Sequence, residues 1–213
     1  MNNEVVDRLN KEFGNPQAVS NYAGLPEFVI LNSIVNTQSG YPMRAHPASD
    51  HGVSVINYCR LTDYSKKSIN DAKATGKPLP PQLKIWERLL AQKSSVRKGT
   101  AMKMIAQCKN LNELSKKHSI PGILKQFNGK PQLICTSVNP FSYNGNTVEI
   151  TIDIRRWAYM AKSRIAANLG MLADAQIELG FLVEGRTDDE LPEQMVGCFC
   201  LDKVDLVRDA FKI

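Results

Sequence analysis

Apolar positions along the chain follow two different periods. Phe28-Val-Ile-Leu-Asn-Ser-Ile-Val35 is an apolar run of strand length. From Gly52 to Leu61, Val53, Val55, Asn57 and Cys59 alternate with Ser54, Ile56 and Tyr58, which predicts a second strand. Met102, Met104, Ala106 and Cys108 alternate in the same way, so Met102 to Cys108 reads as a strand even though Met and Ala favour helices. Gln132 to Val138 and Thr147 to Ile154 predict two more, joined through Asn144-Gly145, a pair that tolerates the positive φ of a hairpin turn. Gln176 to Val183 and Met195 to Leu201 predict the last two strands, separated by the acidic loop Glu184 to Glu193.

Helical spacing occurs in four places. Val5, Val6, Leu9 and Phe13 predict a short amphipathic helix over Glu4 to Phe13, followed by a connector from Gly14 to Pro26. Pro80-Pro81 opens a helix over Gln82 to Gln92, with Leu83, Trp86 and Leu90 on one face and Lys84, Arg88 and Gln92 on the other. Pro121 to Phe127 predicts a short helix stopped by Asn128-Gly129. The longest helix is expected over Arg156 to Asp174, where Trp157, Ala161, Ile165 and Leu169 recur every fourth residue. Asn36 to Asp50 and the lysine-rich Asp63 to Pro81 are expected as polar loops, the latter with one helical turn. Together these predict an α+β fold: a curved, mainly antiparallel sheet of about six strands, with one long helix (157–174) and shorter helices packed on it. Residues 1–24 are the N-terminal helix and connector, and residues 25–213 form the domain.

Composition alters this picture little. A chain of 213 residues, 43% of them hydrophobic and 23% charged, is of one-domain size and builds its own core. The five cysteines (Cys59, Cys108, Cys135, Cys198 and Cys200) have no framework spacing, and are expected to be reduced and mostly packed. Neither a signal-peptide pattern nor an apolar run of spanning length is present, so a cytoplasmic protein, peripheral on membranes, is expected.

Charge is more informative. The net charge of +6 conceals a segment from Arg60 to Lys130 with sixteen Lys or Arg against four acidic residues, while the remainder of the chain is net acidic. One reading is a solvated lysine-rich face. The other is attraction to an anionic surface, where each basic residue contributes about 1 kcal/mol. Lys66, Lys67, Lys84, Arg88, Arg97, Lys98 and Lys103 are then the candidate surface-binding residues. Nucleic acid is a poor partner, because the segment has few aromatics on which bases would stack.

Catalytic chemistry has little support. His46, Asp50, His51 and Cys59 are the one group resembling a nucleophile with its base, although Cys59 is expected to face the core. The chain has no H-E-x-x-H, phosphate-binding loop or dinucleotide fingerprint. No metal site or cofactor is expected. Asp153 followed by Arg155 and Arg156 reads either as a local ion pair or as a phosphate-binding junction. In Glu190-Leu-Pro-Glu-Gln194, Leu191 is expected to plug the core edge, Pro192 to set the turn and Glu193 to pair locally; partner recognition is the other reading.

Thr147-Val-Glu-Ile-Thr-Ile-Asp-Ile154, the helix start Trp157-Ala-Tyr159 and the loop Glu190-Leu-Pro-Glu-Gln194 resemble the C-terminal domain of the plant Enhanced Disease Resistance proteins. Phe28-Val-Ile-Leu-Asn32, Gly52-Val53-Ser54 and Asn128-Gly129-Lys130-Pro131 lie in the expected order, so the resemblance covers roughly residues 25 to 210. Met1 to Gly24 stands where family members often carry further strands. The resemblance implies a domain that in plants often follows pleckstrin-homology and START-type lipid-transfer domains, and it supplies no catalytic residues.

A sheet closed by a helix in the START-like helix-grip manner encloses an apolar pocket, for which Trp157, Ile165, Leu169, Ile150 and Ile152 are the lining candidates. The expected function is a non-enzymatic lipid-binding or membrane-associated regulatory module, with Glu190, Leu191, Pro192 and Glu193 as its family-motif loop. A ligand-free protein-interaction domain and a small hydrolase or transferase are the alternatives.

Overall fold

In the computed structural model, residues 25–37, 52–91, 102–134, 138–143, 146–157 and 159–210 are described. The period-two segments form β1 (Phe28–Asn36), β2 (Gly52–Arg60), β3 (Met102–Cys108), β4 (Pro131–Leu133), β5 (Val138–Tyr143), β6 (Thr147–Asp153), β7 (Gln176–Val183) and β8 (Met195–Asp202). They do not build one sheet. β2-β1-β6-β5 form one four-stranded sheet and β4-β3-β7-β8 another. All pairings are antiparallel except β1 with β6, where Phe28 lies opposite Thr147 and Ile34 opposite Asp153. That parallel pair follows from the route of the chain, which leaves the first sheet after β2, builds β3 and β4 in the second, and only then returns.

The strand expected over Gln132 to Val138 is therefore two strands in different sheets. β4 ends at Leu133, the Ile134 backbone N still donates to the Met102 carbonyl at 2.9 Å, and β5 begins at Val138. A hairpin with β6 does form, but its first strand is β5, which shares only Val138 with the strand expected there; the Asn144-Gly145 turn lies outside the described residues, as do the expected helix over Glu4 to Phe13 and most of the loop from Asn36 to Asp50.

Among the described residues, five α-helices accompany the sheets: α1 (Asp63–Thr75), α2 (Pro81–Ala91), α3 (Leu111–Lys117), α4 (Gly122–Phe127) and α5 (Tyr159–Ala167). α1 occupies most of the segment expected as a loop. Its ends are specified locally: the Thr62 side chain accepts from Ser65 N at 3.2 Å, and Gly76 closes the helix at φ 65°. Its apolar stripe is a single buried residue, Ile69, so no periodicity announces it. In α2, Leu83, Ile85, Trp86 and Leu89 are all buried, a wider face than the expected stripe.

The long helix expected over 157–174 is interrupted. A 3-10 turn (Ile154–Arg156), α5 and a second 3-10 segment (Leu169–Asp174) follow one another. Asn168 makes the break: its backbone N donates to the Ile165 carbonyl at 3.0 Å, a tightened turn, and its Nδ2 donates to the Arg164 carbonyl at 2.7 Å. A side chain competing with the main chain in this way is unfavourable inside a helix, and Gly170 weakens the next turn further.

The two sheets face each other across one core. Val29, Leu31, Val148, Ile150 and Ile152 of the first meet Met102, Phe181 and Val183 of the second, with α2 packed alongside. The sheets come into close contact at Gly197 of β8, where a Cβ would stand 3.0 Å from Cys59 Sγ and 3.3 Å from Leu31 Cδ1. Only a residue without a side chain lets the backbone approach that near. Replacing Gly197 with Val forces the sheets apart and is expected to lower stability by about 1–3 kcal/mol, read as an earlier urea midpoint at unchanged slope.

Candidate functional site

From the Gly197 contact the sheets diverge. Along β1, Val29 and Leu31 lie in the solid core, whereas Ser33 and Val35, farther along the same face, line a cavity. On β3, Met102 is in the core, and Met104, Ala106 and Cys108 line the cavity. β7 runs the other way: Val183 is in the core and Ile177 and Leu179 line the cavity. The result is a wedge of about 520 Å³. Its remaining walls come from α3 and α4, from Trp157, Ala161 and Ile165, and from Phe199 and Leu201 of β8.

The lining is overwhelmingly hydrocarbon. Among its few polar groups, Asn128 is already engaged, its Oδ1 accepting from Cys108 N at 2.6 Å. Ser33, on β1, is only 8% exposed. The cavity opens where its lining residues reach solvent: Ile123 and Phe127 on α4, Leu133 on β4, and Arg164 on α5.

Of the residues expected to line such a pocket, Trp157 and Ile165 do so. Ile150 and Ile152 are fully buried in the solid part of the core, and Leu169 packs with Val35 and Leu206 behind the wall. The stripe Trp157, Ala161, Ile165 is thus real, and it ends at the Asn168 break. The lining missed in the sequence comes from α3 and from the short helix expected as α4: Leu114, Ile120 in the link between them and Leu124 form a small cluster with Ala175 and close one end of the wedge.

The basic residues occupy a different place. Lys66 Nζ donates to Glu27 Oε1 at 2.6 Å, beside Arg60 at 2.7 Å. Burial alone pushes the Glu27 carboxyl up, but the hydrogen bonds from Lys66 and Arg60 outweigh it and hold the group below its ordinary range. Lys84 Nζ donates to Asp189 Oδ2 at 2.7 Å, and that hydrogen bond is the main cause of the Asp189 carboxyl falling to about 2. Lys103 Nζ reaches Glu193 at 2.9 and 3.1 Å and Glu184 at 3.4 Å, with the Glu193 hydrogen bond leading the upward displacement of its pKa. Lys67 is exposed, and Arg97 and Lys98 lie outside the described residues. Four of the seven candidates for an anionic surface are therefore paired with the protein's own carboxylates.

Arg88 is the centre of that pairing. Its Nε and Nη2 grip Glu190 Oε1 and Oε2 at 2.7 and 3.2 Å, and Nη2 also donates to the Glu184 carbonyl at 2.7 Å. Glu190 is buried and its Oε2 accepts from Arg186 N at 2.8 Å, while Glu193 Oε1 accepts from Gly185 N at 3.0 Å. The acidic loop is folded around its own glutamates and clamped to α2 and β3. Glu193 does pair locally, as expected. Leu191, by contrast, is 47% exposed and plugs nothing; it is followed by Pro192 across a cis peptide bond.

The other chemical candidates are quiet. Arg155 forms a two-pronged ion pair with Asp153, Nε to Oδ1 at 2.8 Å and Nη2 to Oδ2 at 3.1 Å, so the local bridge holds at that junction. Burial pushes the Cys59 thiol up, which disfavours the thiolate a nucleophile needs. His46, Asp50 and His51 lie outside the described residues. Cys198 and Cys200 are exposed on the outer face of β8, where period-two geometry puts them together, and so they are not packed. Among the described residues no cluster of His, Cys, Asp or Glu forms a metal site, and no helix is long and apolar enough to cross a membrane.

The chain belongs to the family described as Protein ENHANCED DISEASE RESISTANCE 2, C-terminal, whose profile matches residues 3–205 of the 213. No curated protein and no solved structure matches the chain significantly.

The clamp has a pH signature. The Arg88 hydrogen bond is the leading cause of the Glu190 carboxyl lying below its ordinary range. A carboxyl depressed in the folded state contributes stability that is present above the unfolded pKa of about 4.3 and is lost as pH falls through the folded value. Arg88→Leu leaves a buried carboxylate without its partner and is expected to cost about 2–3 kcal/mol at neutral pH. The gap between the wild type and the variant should narrow as urea titrations are repeated from pH 7 down to about pH 3. A gap independent of pH would show that Arg88 acts through packing alone.

Proposed function

We propose that this domain binds a single-chain lipid in the wedge between its sheets, as a non-enzymatic lipid-binding module. The observation that carries this is the cavity itself, about 520 Å³ of apolar-walled space inside a domain of 213 residues. Small-molecule sites are typically about 300–1,000 Å³, mostly apolar, with a few polar groups that orient the ligand. An empty hydrocarbon-lined space of this size forfeits the dispersion contacts that a packed interior would make. An acyl chain restores them.

Size selects the class of ligand. A water molecule occupies about 30 Å³ of liquid and a methylene group has similar bulk, so the space takes on the order of fifteen methylenes. One acyl chain fits, and the paired chains of a bilayer phospholipid do not. The internal pairing of Lys66, Lys84, Arg88 and Lys103 argues against these four as the anionic-surface contact, because docking there would exchange intramolecular carboxylates for lipid phosphates. The regulatory and membrane-associated aspects of the reading therefore rest on other parts of the surface.

Ala106 stands on β3 in the middle of the lining, where a large side chain enters empty space. Native mass spectrometry of the wild type incubated with palmitate or a lysophospholipid is expected to show one adduct per chain. Ala106→Trp is expected to weaken that binding by at least about tenfold, which is the loss of about 1.4 kcal/mol of binding free energy. Its urea midpoint should not fall, since a void is being filled. Equal loading of the wild type and Ala106→Trp would rule out the wedge as the binding site.

A further inference from the structure

Three of the large apolar side chains left exposed by the fold are gathered at one place, the opening of the wedge. Ile123 and Phe127 are 38% and 39% exposed and sit four residues apart on α4, which puts them on one face. Leu133, 62% exposed, ends the short edge strand β4 immediately after them. All three also line the cavity, so the apolar surface is continuous from solvent to interior. Lys125 and Lys130 lie between them in sequence, exposed and without an ion pair among the described residues.

The segment is held firmly in place. Asn128 Oδ1 accepts from Cys108 N at 2.6 Å, Gly129 N donates to the Ala106 carbonyl at 2.8 Å, and Lys130 N donates to the Phe127 carbonyl at 3.0 Å. Gly129 takes φ 71°, the left-handed conformation the turn requires. The α4–β4 turn is thus pinned to β3 at two points and closed on itself by a third bond, and it holds Ile123, Phe127 and Leu133 partly in water.

We propose that this lip, Ile123, Phe127 and Leu133 flanked by Lys125 and Lys130, is where the domain touches an anionic lipid bilayer to exchange its single-chain ligand. The apolar side chains enter the acyl boundary and the lysines meet anionic headgroups, the combination by which peripheral elements hold a membrane. Continuity with the cavity is what favours a bilayer over a protein partner, since a ligand leaving the membrane passes directly along the same hydrocarbon surface. The inference rests on the lipid-binding reading above and assigns that reading its membrane-facing side. It also places the basic contact on Lys125 and Lys130, whose charges are not neutralised by neighbouring carboxylates of the described chain.

The experiment is co-flotation with vesicles of phosphatidylcholine and phosphatidylserine, run alongside palmitate binding without vesicles. The wild type is expected to float with phosphatidylserine vesicles and to be released by salt. Lys125→Glu with Lys130→Glu is expected to weaken flotation by about tenfold or more while leaving palmitate binding unchanged. Ile123→Ser with Phe127→Ser and Leu133→Ser should abolish flotation even at low salt, and Leu133→Ser alone, at the most exposed of the three, should weaken it with the urea midpoint unchanged. Flotation of any of these variants at wild-type levels overturns the lip. So does a wild type that binds palmitate but ignores vesicles, or one whose apolar face captures a protein instead. If flotation depends on the lip while palmitate never binds, the lip stands and the cavity reading falls.

Discussion

The close approach of β8 to β1 and β2 at Gly197 is the constraint on which the rest of the architecture depends. With no side chain at that position, Leu31 and Cys59 come within van der Waals range of the β8 backbone, and the sheets are anchored at one end. Twisted sheets packed face to face cannot remain in contact over their whole length unless their side chains fill the widening gap. Here they do not fill it. β3 supplies Ala106 and Cys108, which are small, just where the separation grows, and the wedge remains open. The solid core and the cavity are consequences of one geometry.

That geometry also explains why the acidic loop must be clamped. β7 and β8 are adjacent antiparallel strands whose connection passes over the end of the second sheet nearest the solid core. Arg88 and Lys103 project from α2 and β3 on that side, and Glu190 and Glu193 return to them while binding the amides of Arg186 and Gly185. A buried carboxylate is costly unless paired, and the two-pronged guanidinium supplies the pairing with defined direction. The clamp therefore fixes the anchored end. At the opposite end, α3 and α4 close the wedge by packing a few aliphatic side chains, and the end of α3 is tied to Asp174 by Lys117 Nζ at 3.1 Å and His118 Nε2 at 2.8 Å.

How much of this was legible in the sequence follows from how local each determinant is. Strands β2 and β3 announce themselves through alternation, β1 through an apolar run in which Val29, Ile30 and Leu31 are all buried, and β6, β7 and β8 lie where strands were expected. Their division into two sheets depends on which strands pair across more than a hundred residues, as β1 does with β6, and no local pattern encodes that choice. α1 is invisible to periodicity because Ile69 alone carries its buried face, although Thr62 and Gly76 mark its ends. The break at Asn168 was readable in principle from the Asn and from Gly170, yet the recurrence through Leu169 favours continuity. Trp157 and Ile165 were visible as pocket residues for the same reason that Leu169 was misleading: the four-residue spacing persists across a segment whose backbone does not.

Charge taught a different lesson. A lysine-rich segment and an acidic loop, each conspicuous on its own, suggest two partners, yet in the fold they find each other over about ninety to a hundred residues of separation. Local net charge is a poor guide to surface potential whenever compensating charge arrives from elsewhere in the chain. The informative lysines are those with exposed apolar neighbours and no paired carboxylate, and Lys125 and Lys130 satisfy both conditions where Lys84 and Lys103 are held by Asp189 and Glu193. Two properties thus coincide at the mouth of the wedge: it is where the sheets are farthest from their anchoring contact, and where positive charge is left uncompensated by described neighbours. A lipid carrier needs an opening and an attraction at the same place, and the chain supplies the two by unrelated means, one through the unfilled space between its sheets and the other through the exposed Lys125 and Lys130 beside it.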